Sequence, residues 1–292
     1  MSRSNSICRA RPLLGTLVEI WVEEPSATSE SAIGAAFAAV ARVHELMSVH
    51  APDSDLSRLN REGHRRPVQV DPWTYSVLAA AKRIGAASHG VFDCGVAPVM
   101  VRYGWLPRRA RRSGGFGGSQ RHVRLLDGCR VRFRQPLALD LGGIAKGFAV
   151  DRAVDALKAN GVAAGAVNAG GDLCVFGPVP QLIHLRHPSE PRWLVPAGYL
   201  AEGAIATSAH YYARRRRGGR WISPIIHPKR GTPVAADRSS VSVIAQDALT
   251  ADALTKPVML LGEAAAGLLA RFGARAVILR PGCAPIELGH AA

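Results

Sequence analysis

Aromatic residues are scarce, at 6% of the chain, and acids are outnumbered, with 22 Asp and Glu against 37 Lys and Arg. The excess of base gives a net charge of +15 and a pI near 10.6, a field that attracts polyanions of any kind, phosphorylated small molecules and anionic membrane surfaces included. Much of that charge sits in two glycine-flanked runs, Arg108 to Arg112 and Arg214 to Arg217. Neither run shows interleaved aromatics or a recognisable binding module, so nucleic acid is not the expected partner and solvated loops are the plainer reading. Cysteine is sparse and scattered: Cys8, Cys94, Cys129, Cys174 and Cys283 make an odd number with no CxxC pair. That excludes a disulfide framework or a spaced zinc site and fits reduced thiols.

Long apolar runs are also missing. No segment reaches the roughly 18 uninterrupted apolar residues of a membrane span. The N-terminal region carries Arg3, Arg9 and Arg11 without a signal-length apolar stretch, and none precedes Cys8 as a lipid-anchored cysteine would require. The expected location is cytoplasmic. What the chain does have is core-forming material, 48% hydrophobic residues over 292 positions, enough for one large domain.

The pattern along the chain is α+β, with mixed sheets and packed helices. Leu13 to Val22 reads as a strand closed by Glu24-Pro25-Ser26. Ile33, Phe37, Val40 and His44 recur at helical spacing and predict a helix from Ser31 to about Met47. Asp71-Pro72 is a helix start with Gly90 beyond its end. Residues 107 to 120 have neither periodicity and predict a loop. Leu137 to Leu141 reads as a strand, followed by Gly142-Gly143 and a helix that ends at Asn160-Gly161. Val167 and Leu173 to Phe176 flank a glycine pair, Val241 to Ala245 and Ala276 to Leu279 are later strands, and Asp252 to Leu261 is a helix.

Two segments carry chemistry. Asp140-Leu-Gly-Gly-Ile-Ala-Lys146-Gly-Phe148 sets small residues and a lysine at a turn into a helix. Exposed N–H groups there can meet an anion, or the glycines can serve only a tight turn and close packing. Asn168-Ala-Gly170-Gly171-Asp172 offers close backbone approach with two polar side chains, and suits a ligand, a turn or a bulge.

In order along the chain, Leu14-Gly15-Thr16, Met47-Ser48, Ser54 to Asn60, Gly90-Val91-Phe92-Asp93, Pro98, Asp140 to Asp151, Asn168 to Asp172 and Ala206-Thr207-Ser208 resemble the ApbE family of FAD:protein FMN transferases. The likeness covers roughly residues 12 to 262, leaving 1 to 11 as an N-terminal tail and 263 to 292 as a helix-strand extension of the same domain. It implies an ApbE-like, T-fold-like α+β architecture with FAD as substrate and an acceptor flavoprotein bearing a target threonine as partner. The implied cofactor contacts are Met47, Asp93, Lys146, Asn168, Gly170, Gly171, Asp172, Thr207, Ser208, Ile225 and Ile226. The implied magnesium site is Gly143, through its carbonyl, with Asp252 and Thr255. Asp252, Lys146 and His227 are the catalytic candidates. For Met47 a buried core role and for Asp93 a turn cap fit equally, and His227 reads either as acid-base group or as a hydrogen-bonded loop residue.

Two departures from the family pattern stand out. The family's ADALAT becomes Ala251-Asp252-Ala253-Leu254-Thr255-Lys256, which puts a lysine where the second metal ligand belongs. The family's HIIDPxTG becomes Pro224-Ile225-Ile226-His227-Pro228-Lys229-Arg230-Gly231, which keeps the apolar course and replaces the polar groups. Magnesium wants octahedral oxygen, so the expectation is that Lys256, with Lys229 and Arg230, replaces the cation in part. Alternatives to transfer are a divergent FAD-binding or FAD-hydrolysing protein without flavinylation, and a basic protein binding nucleic acid or an acidic partner on the same scaffold.

Overall fold

The computed structural model describes residues 6–107, 118–190, 192–210, 213–237 and 239–289. Most of the loop expected at 107 to 120 lies outside the described residues. The chain opens with strands β1 (Ser6–Leu13) and β2 (Thr16–Glu23), paired antiparallel from Ser6 with Glu23 to Leu13 with Thr16. Most of the expected N-terminal tail is therefore strand. Its polar residues face water along an edge, so their composition carries no core signature.

Helices α1 (Ser29–Met47), α2 (Asp55–Glu62) and α3 (Pro72–Ala87) follow. The start of α3 is the expected one: the Asp71 carboxylate accepts the Trp73 N–H at 2.9 Å and Pro72 takes the first turn. Between α2 and α3 lies the short β3 (Val68–Gln69), and after them come α4 (Ala97–Arg102), β4 (Val123–Leu126) and β5 (Arg130–Phe133). Strands β3, β5 and β4 form a small sheet in that order.

Leu137 to Leu141 is not a strand. Instead the buried Asn60 of α2 donates to the Leu139 carbonyl at 2.9 Å and accepts the Leu139 N–H at 2.8 Å. One amide side chain thus supplies both bonds that a neighbouring strand would have made, and the extended segment needs no ladder.

Helix α5 (Ala145–Ala159) precedes the hairpin of β6 (Gly165–Ala169) and β7 (Asp172–Phe176). Then come β8 (Gln181–Arg186), β9 (Leu194–Leu200), β10 (Gly203–Ala209), β11 (Arg215–Arg217), β12 (Arg220–His227), β13 (Thr232–Ala235) and β14 (Ser240–Ala245). Helices α6 (Ala248–Leu261) and α7 (Ala266–Arg271) and strands β15 (Arg275–Leu279) and β16 (Ile286–Leu288) complete the fold. The main sheet has eight antiparallel strands ordered β1-β2-β6-β7-β10-β14-β15-β16. Residues 263 to 289 thus extend the same sheet and the same core.

Alternation decides the two faces. Cys174, Phe176, Ala204 and Ala206 point to the side covered by α1, α5 and α6, whereas Val175 and Ile205 point to a smaller cluster with Ile183, Leu185 and Leu279 under the β8 and β9 ribbon. Fully buried Ile20, Phe37, Leu139, Ile144, Leu157 and Leu254 fill the larger core, each worth about 2 kcal/mol in transfer terms.

The stretch Ala248–Arg271, at 24 residues, is long and apolar enough by length and composition to cross a membrane. In the fold its first part is the core helix α6, with Asp252 and Thr255 buried. Asp151 of α5 locks that helix by accepting the N–H groups of Ala248 at 2.7 Å and Leu249 at 2.9 Å. Burial pushes the Asp151 carboxyl up to about 7 despite those two bonds.

Candidate functional site

The α5 start and the first turn of α6 touch through a glycine. A Cβ at Gly147 would overlap the Ala248 carbonyl and stand 2.9 Å from the Asp252 Cβ, so only glycine lets the two helices meet here. The Gly147 N–H then donates to Asp252 Oδ2 at 3.2 Å. This close approach gathers four charged groups. Lys146 pairs with Asp172 and Lys256 pairs with Asp252, while the side chains of Asp172 and Asp252 are each 1% exposed. The lysines keep an outlet, with 33% of the Lys146 side chain and 18% of the Lys256 side chain exposed.

Electrostatics divides the two aspartates. Burial and then the charge of Asp252 push the Asp172 carboxyl up to about 6, against the pull of Lys146 and Lys256. For Asp252 burial works upward as well, yet Lys146 and Lys256 together hold it below the ordinary carboxylate range. Burial lowers Lys146, but Asp252 and Asp172 more than reverse this and raise it. Asp252 is therefore ionised and Lys146 protonated at neutral pH, and Lys146 and Lys256 are each anchored on a buried carboxylate.

Beside this cluster lies a cleft of about 720 Å³. Its walls include Gly90, Phe92, Asp93 and Gly95 on one side and Ile226, Pro228, Lys229, Arg230 and Gly231 on the other, with Lys82 and Arg121 at its margin. None of the four charged groups lines the cleft; the Asp140 N–H donates to the carbonyl of Cys94, which lies between the cleft residues Asp93 and Gly95, at 2.8 Å. The buried Cys94 thiol is pushed well up by burial and by its neighbours Asp93 and Asp140.

Each residue expected from sequence has a definite place. Met47 is buried in the main core. Asp93 accepts from Gly95 N at 2.7 Å, from Gln120 N at 2.8 Å and from the Ser119 hydroxyl, so its carboxylate shapes the cleft floor. Gly170 and Gly171 form the β6 to β7 turn at φ 64° and 100°, closed by Asn168, which accepts the Gly171 N–H at 3.0 Å and donates to Glu19 at 3.0 Å. Thr207 shares a hydrogen bond with Ser242 at 2.8 Å across β10 and β14. Ile226 lines the cleft and Ile225 is half-buried beside it. His227 is absent from the cleft wall, and its ring and carbonyl both accept the Arg230 N–H, at 3.3 Å and 3.2 Å. Burial, Arg230 and Lys229 lower its pKa, so the imidazole is a neutral turn residue.

The implied magnesium ion does not fit the residues present. Thr255 Oγ1 donates to the Asp252 carbonyl at 2.7 Å and shares a hydrogen bond with Ser208 at 2.8 Å, within the core. Asp252 Oδ1 is taken by Lys256 and Oδ2 by Gly147. Lys256 Nζ also donates to the Asp252 carbonyl at 2.9 Å, and its Cε stands 3.1 Å from where a Cβ on Gly143 would be. An ammonium thus already engages Asp252 beside Gly143, and the Thr255 hydroxyl is committed to Ser208 and the Asp252 carbonyl, so the oxygens that octahedral coordination would require are taken. Among the described residues no group of three or more His, Cys, Asp or Glu side chains forms a metal cluster.

Sequence reading missed Gln120. Buried between α3 and the cleft floor, it accepts the Cys94 N–H at 3.1 Å and donates to the Ala81 and Phe92 carbonyls at 2.9 and 3.0 Å. Its partners are at least 26 residues away, so no local pattern marks it. Aromatics were also missed around the second arginine run: Tyr103, Trp105 and Trp221 carry Arg217, Arg215 and Arg214 over their rings. The Tyr103 and Trp105 contacts join segments about a hundred residues apart and leave no local pattern, whereas Trp221 follows the arginine run directly on the same hairpin.

Comparison with known proteins agrees with the geometry. A FAD:protein FMN transferase of Vibrio cholerae is 28% identical over 275 residues, covering 86% of this chain and 80% of the relative. The crystal structure of the ApbE protein of Thermotoga maritima superposes with a TM-score of 0.83 at 28% identity, covering 97% of each chain. That of the Pseudomonas stutzeri flavinyl transferase ApbE, in its apo form, gives 0.79 at 26% identity, covering 97% of this chain and 94% of the other. The ApbE family profile matches residues 14–278, and this chain belongs to the ApbE family.

Proposed function

We propose that this chain transfers the FMN half of FAD to a threonine of an acceptor protein and releases AMP. The observation that carries the reading is the pair of anchored ammonium groups, Lys146 and Lys256, together with a cleft of about 720 Å³ whose wall carries Lys229 and Arg230. In the reaction the threonine oxygen bonds to the FMN phosphorus, the bridging bond to the AMP phosphate breaks, and the hydroxyl proton passes to solvent. Such a step asks mainly for positioning and for cations against the phosphate oxygens.

Lys146 and Lys256 supply those cations at the cluster, and Lys229 and Arg230 add two more at the cleft wall. Ile226 and Pro228 offer an apolar wall to the flavin ring, with Asp93 and Gln120 holding the opposite side in shape. Lys256 stands in for magnesium: a hydrogen-bonding ammonium can neutralise charge, although it cannot draw several oxygens around one centre. Asp252 and Asp172 act by positioning the lysines, while Thr207, Ser208, Asn168, Gly170 and Gly171 hold the strands that position the aspartates. Met47 supports the site from the core.

Calorimetric titration with FAD, with and without magnesium chloride, tests both parts. Tight binding indifferent to magnesium is the expected result. Absence of FAD binding would overturn the assignment, and binding that needs magnesium would overturn the role of Lys256.

A further inference from the structure

The β11 and β12 hairpin and the segment after α4 build a surface where three aromatic rings each carry one of the chain's own arginines, and Trp221 stays 45% exposed. Arg214 lies 4.4 Å over the Trp221 ring, Arg217 4.7 Å over Tyr103 and Arg215 5.9 Å over Trp105. Tyr103 and Trp105 stack on each other at 6.0 Å. The Trp105 indole N–H is bound to the Ala213 carbonyl at 3.0 Å, tying the two segments together. Arg215, Arg216, Arg217 and Arg220 are exposed, and none of the ion pairs among the described residues involves them or Arg214.

We infer that this surface binds an acidic segment of the acceptor polypeptide and feeds it to the cleft. Three observations choose that partner. Arg214 to Arg217 and Arg220 gather without an acidic partner among the described residues, and guanidinium groups bind carboxylates as a two-pronged fork. One face of each ring is taken by an arginine, which reduces the stacking surface that single-stranded nucleic acid needs. Position supplies the third: β12 carries Trp221 near its start and Ile226, a cleft residue, near its end. Along an extended strand that interval is about 17 Å, the reach of a short extended peptide. Helix α4 makes the same connection, with Pro98 and Val99 on the cleft and Tyr103 just past its end.

The inference rests on the flavin-transfer reading, because only a protein substrate has to be brought to the cleft. The test is fluorescence anisotropy of the full chain with a labelled deca-glutamate peptide and with a labelled oligothymidylate of equal charge. The peptide is expected to bind at least as tightly as the oligonucleotide. Arg214→Glu with Arg217→Glu should weaken it about tenfold or more, and Arg216→Glu, whose side chain covers no ring among the described residues, should weaken it in the same direction without disturbing the hairpin. Calorimetric FAD binding by the same variants should stay within about twofold of the parent, a limit set by screening of remote surface charge. Tighter binding of the oligonucleotide than of the peptide, or peptide binding that ignores all three charge reversals, would overturn the surface. Retained FAD binding with no peptide binding removes this surface alone, and peptide binding with no FAD binding removes the flavin reading alone.

Discussion

Lys256 donates to both the carboxylate and the main-chain carbonyl of Asp252, one helical turn earlier on α6. A residue at that spacing lies on the same helix face, so the ammonium takes one carboxylate oxygen while Gly147 N holds the other. The site thereby contains its own counter-cation, and each element around it can be tested separately.

Lys256→Thr should exchange that cation for an oxygen donor and make FAD binding respond to magnesium. We expect the parent protein to change affinity less than about twofold on adding magnesium and the variant to gain about tenfold, some 1.4 kcal/mol. Calorimetry in the two conditions reads it. A variant as indifferent to magnesium as the parent would sink the stand-in role. Lys256→Met, which leaves Asp252 buried without its cation, should cost about 3 kcal/mol of unfolding free energy, measured in urea.

Gly147→Ala tests the helix contact beneath the cluster. The added Cβ meets the Ala248 backbone, which cannot swing aside as a side chain would. A loss of about 3 kcal/mol is expected. Gly34→Ala in α1 is the control, since nothing lies within 4 Å of its Cβ, and there a gain of about 0.5 kcal/mol is expected. Equal midpoints for the two variants would contradict the packing.

Gln120→Ala should open the cleft floor. Removing the side chain leaves the Cys94 N–H and the Phe92 carbonyl without partners in a buried place, at a cost of about 2 kcal/mol. The expected result is a lower Tm together with weaker FAD binding. A lower Tm with unchanged FAD affinity would show that the cleft does not depend on this side chain.

Asp172 predicts a pH dependence of defined sign. Its carboxyl is raised from 3.8 to about 6 in the folded protein. A raised acid binds its proton more tightly in the native state, so its contribution to stability is complete below pH 3.8 and is lost as pH rises to about 6. Asp172→Asn should therefore abolish a fall in unfolding free energy across that window. Urea titrations at several pH values in the window would show it, and parallel profiles for parent and variant would refute it.

Local chemistry made several elements legible. Apolar residues three and four apart announce α1, and Asp71 before Pro72 caps α3. Asn160 and Gly161 end α5, with Gly161 at φ 82°. The glycine pair at 170 and 171 marks a turn because side chains avoid that conformation. Ordered motifs were enough to point to the family, and the lysine at 256 was visible as a departure without any structure.

Other features have no local signature because their partners come from distant chain segments. Leu137 to Leu141 carries strand composition, yet Asn60 satisfies the bonds a strand would have needed. The edge strand Ser6–Leu13 looks like a tail until β2 pairs with it. The pairing of Lys146 with Asp172, the seat of Lys256 beside Gly143, and the placing of Tyr103 and Trp105 under Arg217 and Arg215 were decided by tertiary contact alone. Sequence determined which residues form helices, turns and core faces, since periodicity and caps act within a few residues. Which charges neutralise each other depends on how α5, α6 and the sheet dock, and that is settled only when the whole core packs.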